Sequence, residues 1–255
     1  QKPRIVLDTM RDFADSEYAN VHRGVHFLSA AATDRYEAAR RSVQKFLNAR
    51  DENEIVFTKG GTEAINLVAY SFLMPVIQPG DEIVLSVMEH HSNIVPWHFL
   101  RERCGAVLRW ADVRDDGSLD VAALDALIGP KTRLVAITHM SNVLGTITPL
   151  KDIVARAHAK GVPVLADGCQ GAVHEIVDVQ ALDIDFYAVT GHKLYGPTGI
   201  GALYARKARL KAMRPFNGGG EMIREVTMDR ITYADPPARF EAGTPPIIES
   251  VGLAA

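Results

Sequence analysis

Apolar positions recur at three- and four-residue steps through residues 34–50, DRYEAARRSVQKFLNAR, where Tyr36, Ala39, Val43, Phe46 and Leu47 line one side. Behind a Thr33 or Asp34 cap, this predicts an amphipathic helix as the first firm element. The period then changes. EIVF (54–57) reads as strand and EAINLVAYSFL (63–73) as helix, and a PGDE turn at 79–82 leads to strand IVLS (83–86). The alternation continues with a helix from about Asn93 to Arg103, a strand at 106–110, a DDG turn at 115–117 and a helix after Asp120. A strand at 133–140, a helix near 150–160 closed by Gly161, and strands at 162–167 and 185–190 follow. Continuous apolar strands between helices predict an α/β fold, a mostly parallel sheet covered on both faces. Beyond Ala205, GGG at 218–220 and Pro236, Pro237, Pro245 and Pro246 predict loops and a hairpin returning over the sheet.

Composition narrows the function classes. Of 255 residues, 47% are apolar and 23% charged, as in ordinary folded domains. Lys plus Arg number 28 against 31 Asp plus Glu, so no global positive field favours nucleic acid or anionic membrane. The most apolar stretch, 67–77, is broken by Ser71 and Pro75 and is too short to span a bilayer. Cys104 and Cys169 cannot form a disulfide framework, and a reducing, cytoplasmic setting is the expectation.

Open parallel sheets bind ligands at the carboxyl ends of their strands, and three candidate segments fall there. In FTKGGTEAIN (57–66) a strand runs through Gly60, Gly61 and Thr62 into a helix, where backbone N–H groups and a helix dipole would hold a phosphate. An ordinary turn capped by Thr62 is the competing reading. In LADGCQ (165–170) Asp167 follows an apolar strand and could cap a helix, bind metal or pair with a buried cation. In VTGHKLYGPTG (189–199) Lys193 stands directly past a strand, a position that suits a Schiff-base amine. Together these are what a protein supplies to pyridoxal 5′-phosphate: a phosphate cradle, a lysine and a carboxylate for the pyridinium nitrogen. EHHSN (89–93) adds a flat group for the ring. No metal site is expected, since the cysteines lack zinc spacing and Gly24 between His22 and His26 favours a loop over a chelating helix turn.

VHRGVHFLSAAAT (21–33), FTKGGTEAINLVA (57–69), MEHHSNIVPW (88–97), ITHMSNVLGT (137–146), VLADGCQ (164–170), DFYAVTGHKLYGPTGIG (185–201) and RFEAGTP (239–245) stand in the order found in SUF-type cysteine desulfurases and selenocysteine lyases. The chain resembles this group of the class V aminotransferases, a resemblance that covers nearly all of it. It implies a fold type I large domain at 34–255, an entrance segment at 1–33, and a C-terminal small domain not contained in these residues. By the same resemblance Lys193 binds pyridoxal phosphate, Asp167 pairs with the ring nitrogen and His90, rather than His91, stacks on the ring and serves in proton transfer. Gln170 and Asn142 lie at the ring hydroxyl, Gly61, Thr62, Thr190 and His192 hold the phosphate, and Thr244 reaches the phosphate site of the other subunit in a homodimer. His22 and Arg23 correspond to a pair near the substrate entrance.

The implied reaction converts L-cysteine, or L-selenocysteine, to L-alanine and an enzyme persulfide that supplies a sulfur-acceptor protein of iron–sulfur assembly. Three features depart from the family pattern. Thr190 replaces the usual serine, Asn217 stands where a glutamate often precedes GGG, and Cys169 occupies a place relatives give to alanine. Neither cysteine matches the family's persulfide cysteine, which lies in the C-terminal domain with the arginine for the substrate carboxylate. Two alternatives stand beside this one: a class V relative that eliminates or epimerises an amino acid, and a chain that binds the cofactor without turnover.

Overall fold

The computed structural model describes residues 1–24 and 26–255. Seven strands, β1 (Ile55–Thr58), β2 (Glu82–Ser86), β3 (Val107–Ala111), β4 (Thr132–Thr138), β5 (Val164–Asp167), β6 (Phe186–Thr190) and β7 (Gly201–Ala205), form one sheet in the order β1-β7-β6-β5-β4-β2-β3. β3, β2, β4, β5 and β6 are parallel, and β7 runs antiparallel to both β6 and β1. Two reversals leave β1 pointing with the parallel set, so Thr58, Ser86, Thr138, Asp167 and Thr190 all end at one edge.

Alternation along the strands divides the core between two faces. Phe57, Val84, Val135, Ile137, Ala166, Tyr187 and Val189 pack with helices Phe27–Phe46, Leu150–Ala159 and Ile247–Leu253. Val56, Ile83, Leu85, Ala136, Leu165 and Ala188 face helices Gly61–Leu67 and Val95–Cys104, where Trp97 and Leu100 are fully buried. Every strand of the central set is therefore apolar on both sides, the physical origin of its continuous apolar sequence.

The structure corrects several sequence expectations. The first long helix spans Phe27–Phe46 rather than 34–50, because His26 is its N-cap, accepting the Ser29 N–H at 3.3 Å. Thr33 lies inside it, its Oγ1 donating to Ser29 O and accepting the His22 N–H at 2.9 Å. A helix at Arg4–Ser16 precedes it, burying Val6 and Phe13 and packing on Ile247–Leu253. β7 was not expected either. The hairpin forms as β8 (Ile223–Val226) and β9 (Ile231–Tyr233), but most of its residues are exposed instead of lying over the sheet. Among the described residues no helix is long and apolar enough to cross a membrane.

Candidate active site

β1 leads into the first candidate segment. Gly60 has φ +154°, and a Cβ there would lie 3.3 Å from Thr190 Oγ1. A Cβ on Gly61 would lie 2.2 Å from Cys169 Sγ, so the glycine is required by close approach. Gly201, paired with Thr58 on one side and Thr190 on the other, admits the same loop: a Cβ there would be 2.6 Å from Gly60 Cα. Gly60, Gly61, Thr62, Thr190 and His192 line one cavity of about 490 Å³. Thr190 Oγ1 and His192 Nδ1 lie 3.1 Å apart, and partial burial, with Lys193 and Lys2 nearby, lowers the His192 pKa. The cavity floor holds glycine N–H groups, hydroxyls and a helix start, a donor set suited to an anion.

Asp167 ends β5 buried, at 4% exposure. Its Oδ1 accepts the Cys169 N–H at 3.0 Å, while Ser92 Oγ approaches Oδ2 at only 3.4 Å. One buried carboxylate oxygen is thus close to free, which fits a charged N–H donor above it. The loop that follows lies on a buried ring pair: His139 Nδ1 and Tyr187 OH are 2.7 Å apart, with burial lowering the His139 pKa. A Cβ on Gly168 would meet Tyr187 at 2.0 Å and one on Gly171 would meet His139 at 2.4 Å. Those two glycines let the loop lie against the ring pair, and Gln170 is the N-cap of helix Gly171–His174.

His90 lies on the turn after β2. Its Nδ1 accepts the Ser92 N–H at 3.1 Å and lies 2.8 Å from Ser92 Oγ. A backbone N–H only donates, so the neutral imidazole carries its proton on Nε2. Ser92 links His90 to Asp167. Lys193, half-buried, follows β6, its N–H on Thr190 O at 3.3 Å. Burial and Asp167 push the Cys169 thiol up, opposed by the charge of Lys193. Cys104 ends helix Val95–Cys104 on the opposite face of the sheet from helix Phe27–Phe46.

Four predicted residues are less closely gathered. Asn142 is exposed on the loop beyond β4. Thr244, also exposed, lines a neighbouring cavity that shares Lys59, Glu63 and Phe216 with the phosphate cradle. His22 lines another cavity, and both it and Arg23 are engaged, His22 Nε2 with Glu37 Oε1 at 3.0 Å and Arg23 Nε with Glu221 Oε1 at 2.9 Å. His26 turns to its own helix, so the two histidines serve different partners. Sequence reasoning missed Ser92, the His139–Tyr187 pair and Glu89. Only Glu89, adjacent to the histidine pair, carried a sequence signal.

An open α/β sheet of this strand order, with an anion cradle, a buried carboxylate and a lysine at one edge, defines the large domain of the fold type I class. The chain belongs to the aminotransferase class-V family, whose model matches residues 1–255. Over 256 aligned residues it is 56% identical to a cysteine desulfurase of Dickeya dadantii, an alignment covering all of this chain and 62% of that protein. The cysteine desulfurase CsdA of Escherichia coli, solved as its S-sulfonic acid, superposes with a TM-score of 0.92 at 46% identity, covering 99% of this chain and 63% of CsdA. The cystine C–S lyase C-DES, in a variant with glycine covalently linked to its pyridoxal phosphate cofactor, gives 0.87 at 27%, covering 99% of this chain and 66% of that one. The chain thus spans less than two thirds of the length of the curated relatives it matches.

Proposed function

We propose that the protein is a pyridoxal-phosphate-dependent cysteine desulfurase, converting L-cysteine to L-alanine and leaving the sulfur on a protein cysteine as a persulfide. The observation that carries this is the nearly free buried oxygen of Asp167, set in the same loop cluster as Lys193 and the glycine–hydroxyl cradle. Gly61, Thr62, Thr190 and His192 would hold the phosphate, Asp167 the ring nitrogen, and Gln170 and Asn142 the ring hydroxyl side. When bound, the cofactor supplies a carbonyl carbon for amine exchange and withdraws electrons from the substrate α-carbon. Lys193 provides the exchanging amine and moves a proton at Nζ. His90, its Nδ1 occupied by the Ser92 N–H, presents a proton at Nε2 to whatever lies over the ring. Asp167, buried and with Oδ2 met only by Ser92 Oγ at 3.4 Å, offers that oxygen to the ring N–H.

A cysteine thiolate must then take the sulfur: its S–S bond forms as the substrate C–S bond breaks, and the carbon fragment gains a proton to leave as alanine. Cys169 does not suit the task, with Sγ wedged against Gly61 and its pKa raised by burial. A thiol elsewhere in the full gene product is required. The finer parts of the proposal rest on family resemblance: L-selenocysteine as a second substrate, a homodimer to which Thr244 contributes across the interface, and a sulfur-acceptor protein of iron–sulfur assembly; the cytoplasmic setting rests on the sparse cysteines. Residues 34–255 would form the cofactor-binding domain, with 1–33 at the entrance. The likeness to C-DES favours elimination as the second reading.

Full gene product incubated with L-cysteine and a thiol reductant should release alanine and sulfide in equal amounts, and Lys193→Ala should lose both turnover and the visible absorbance of the bound cofactor. Pyruvate and ammonia in place of alanine would establish elimination. Neither product pair from yellow, loaded protein would overturn both enzymatic readings.

A further inference from the structure

Beneath the His90 turn lies a carboxyl that the proposed chemistry leaves unused. Glu89 is buried, with Oε1 accepting the Ser86 hydroxyl at 2.5 Å and Oε2 accepting Asn93 Nδ2 at 2.7 Å. Asn93 Oδ1 accepts the indole N–H of Trp97 at 3.1 Å, and both residues are fully buried. These bonds join the last residue of β2, the residue before His90 and the residue three after it, and the last is anchored to the following helix. Ser92, which holds the His90 ring through its N–H and hydroxyl, lies within this closed turn.

The turn also has backbone bonds, Asn93 N–H to His90 O at 2.8 Å and Ile94 N–H to His91 O at 3.1 Å, so a carboxyl is not needed to close a turn here. Burying one without a cation is costly. The other charged group acting on Glu89 is Asp167, which repels it, and burial pushes the carboxyl up to about 7. An apolar residue would avoid the buried carboxyl but strand the Ser86 hydroxyl and Asn93 Nδ2. What Glu89 adds is direction, because its two oxygens pull both ends of the turn toward one point and fix how far His90 stands from Asp167.

We propose that Glu89 is the positioning residue for His90, holding the imidazole at the height where it covers the cofactor ring above Asp167. This rests on the reading of His90 given above. Gln at 89 preserves the size, with its amide oxygen accepting from Asn93 and its amide N–H donating to Ser86 Oγ, whereas Ala opens the turn.

The test uses the full-length holoenzyme labelled with 13C at histidine, comparing wild type, Glu89→Gln, Glu89→Ala and, as a milder break, Ser86→Ala. A displaced catalytic group costs about ten- to hundredfold in rate. Glu89→Ala is expected to keep the cofactor's visible absorbance, to lose kcat by about that factor with KM for L-cysteine within about twofold, and to shift the His90 imidazole signal. Glu89→Gln should restore both kcat and the signal, and Ser86→Ala should shift the signal part way. An unmoved His90 signal in Glu89→Ala, or a Gln variant as impaired as Ala, overturns the proposal. If Glu89→Ala fails to fold, an unmoved signal in Ser86→Ala overturns it instead. If wild type shows no turnover, the functional reading fails while the His90 signals still decide the positioning.

Discussion

Arg40 carries the strongest prediction for stability. It is 2% exposed, and its guanidinium donates to Glu241 at 2.6 and 2.8 Å, to Glu37 Oε2 at 2.8 Å and to Ile55 O at 2.9 Å. It also lies 4.8 Å from the Phe57 ring centroid. Glu241 further accepts the Tyr36 hydroxyl at 3.0 Å and the Phe57 N–H at 2.7 Å, so this pair ties helix Phe27–Phe46 and β1 to the segment bearing Thr244. Arg40→Met keeps much of the volume but strands a carboxylate that is 8% exposed on two neutral donors. Removing one partner of such a pair costs about 3–5 kcal/mol. At about 2–4 °C per kcal/mol for a chain of this size, Tm should fall by roughly 6–20 °C. The double variant Arg40→Met/Glu241→Leu should recover part of this, since apolar replacement of a buried pair is itself close to neutral. Its remaining deficit is the set of buried groups the pair had satisfied, the Phe57 N–H, the Tyr36 hydroxyl and the Ile55 carbonyl, at about 1–3 kcal/mol for each left unpaired. Calorimetric melts of the two single variants and the double give the coupling energy directly. A drop under about 2 °C for Arg40→Met would refute the reasoning, because less than about 1 kcal/mol would then rest on the cation.

Gly61→Ala places a Cβ against Cys169 Sγ, and should weaken pyridoxal phosphate binding by about tenfold or more in a spectroscopic titration. Adding Cys169→Ala removes the obstructing sulfur and should restore binding; no recovery would mean the cradle fails for another reason. Glu89, raised from 4.5 to about 7 mainly by burial, binds its proton more tightly folded than unfolded. Its contribution therefore falls as pH rises from about 4.5 through about 7, by about 3 kcal/mol, and Glu89→Gln should remove that slope in denaturant titrations at pH 5 and 8. His22 acts in the same sense as Glu89, and Glu37 in the opposite one. The hydrogen bond to Glu37 raises the His22 pKa, so its stabilisation is full below about 6.5 and lost as pH climbs through the raised value. Burial works against Glu37 ionising, but hydrogen bonds from His22 and Arg40 outweigh it and hold the carboxyl at about 2, so its share is present above about 4.5 and lost as pH falls toward 2. Stability lost on His22→Ala should accordingly be larger at pH 6 than at pH 9; equal losses would refute the pairing.

What the sequence made legible follows from how local its causes are. β2, β4, β5 and β6 are buried on both faces, so they appear as unbroken apolar runs and their places were readable to within a few residues. The cradle was readable because close approach at Gly61 admits no side chain, and that constraint is written in the glycine itself. Helix Arg4–Ser16 gave little warning, since it buries Val6 and Phe13 alone and its stability depends on a helix more than 200 residues away. β7 is five residues long, begins with glycine and runs against its neighbours, so it fits neither the parallel rhythm nor a hairpin spacing. The same distinction divides the site. Asp167 and Lys193 could be proposed from strand ends, but the nearly free oxygen of Asp167 depends on how Ser92 and Cys169 happen to meet it. Arg40 and Glu241 are 201 residues apart, and no period or spacing links them. A buried charge network is assembled only when the sheet is closed, so the groups that aim a site are the part of it least visible in the chain.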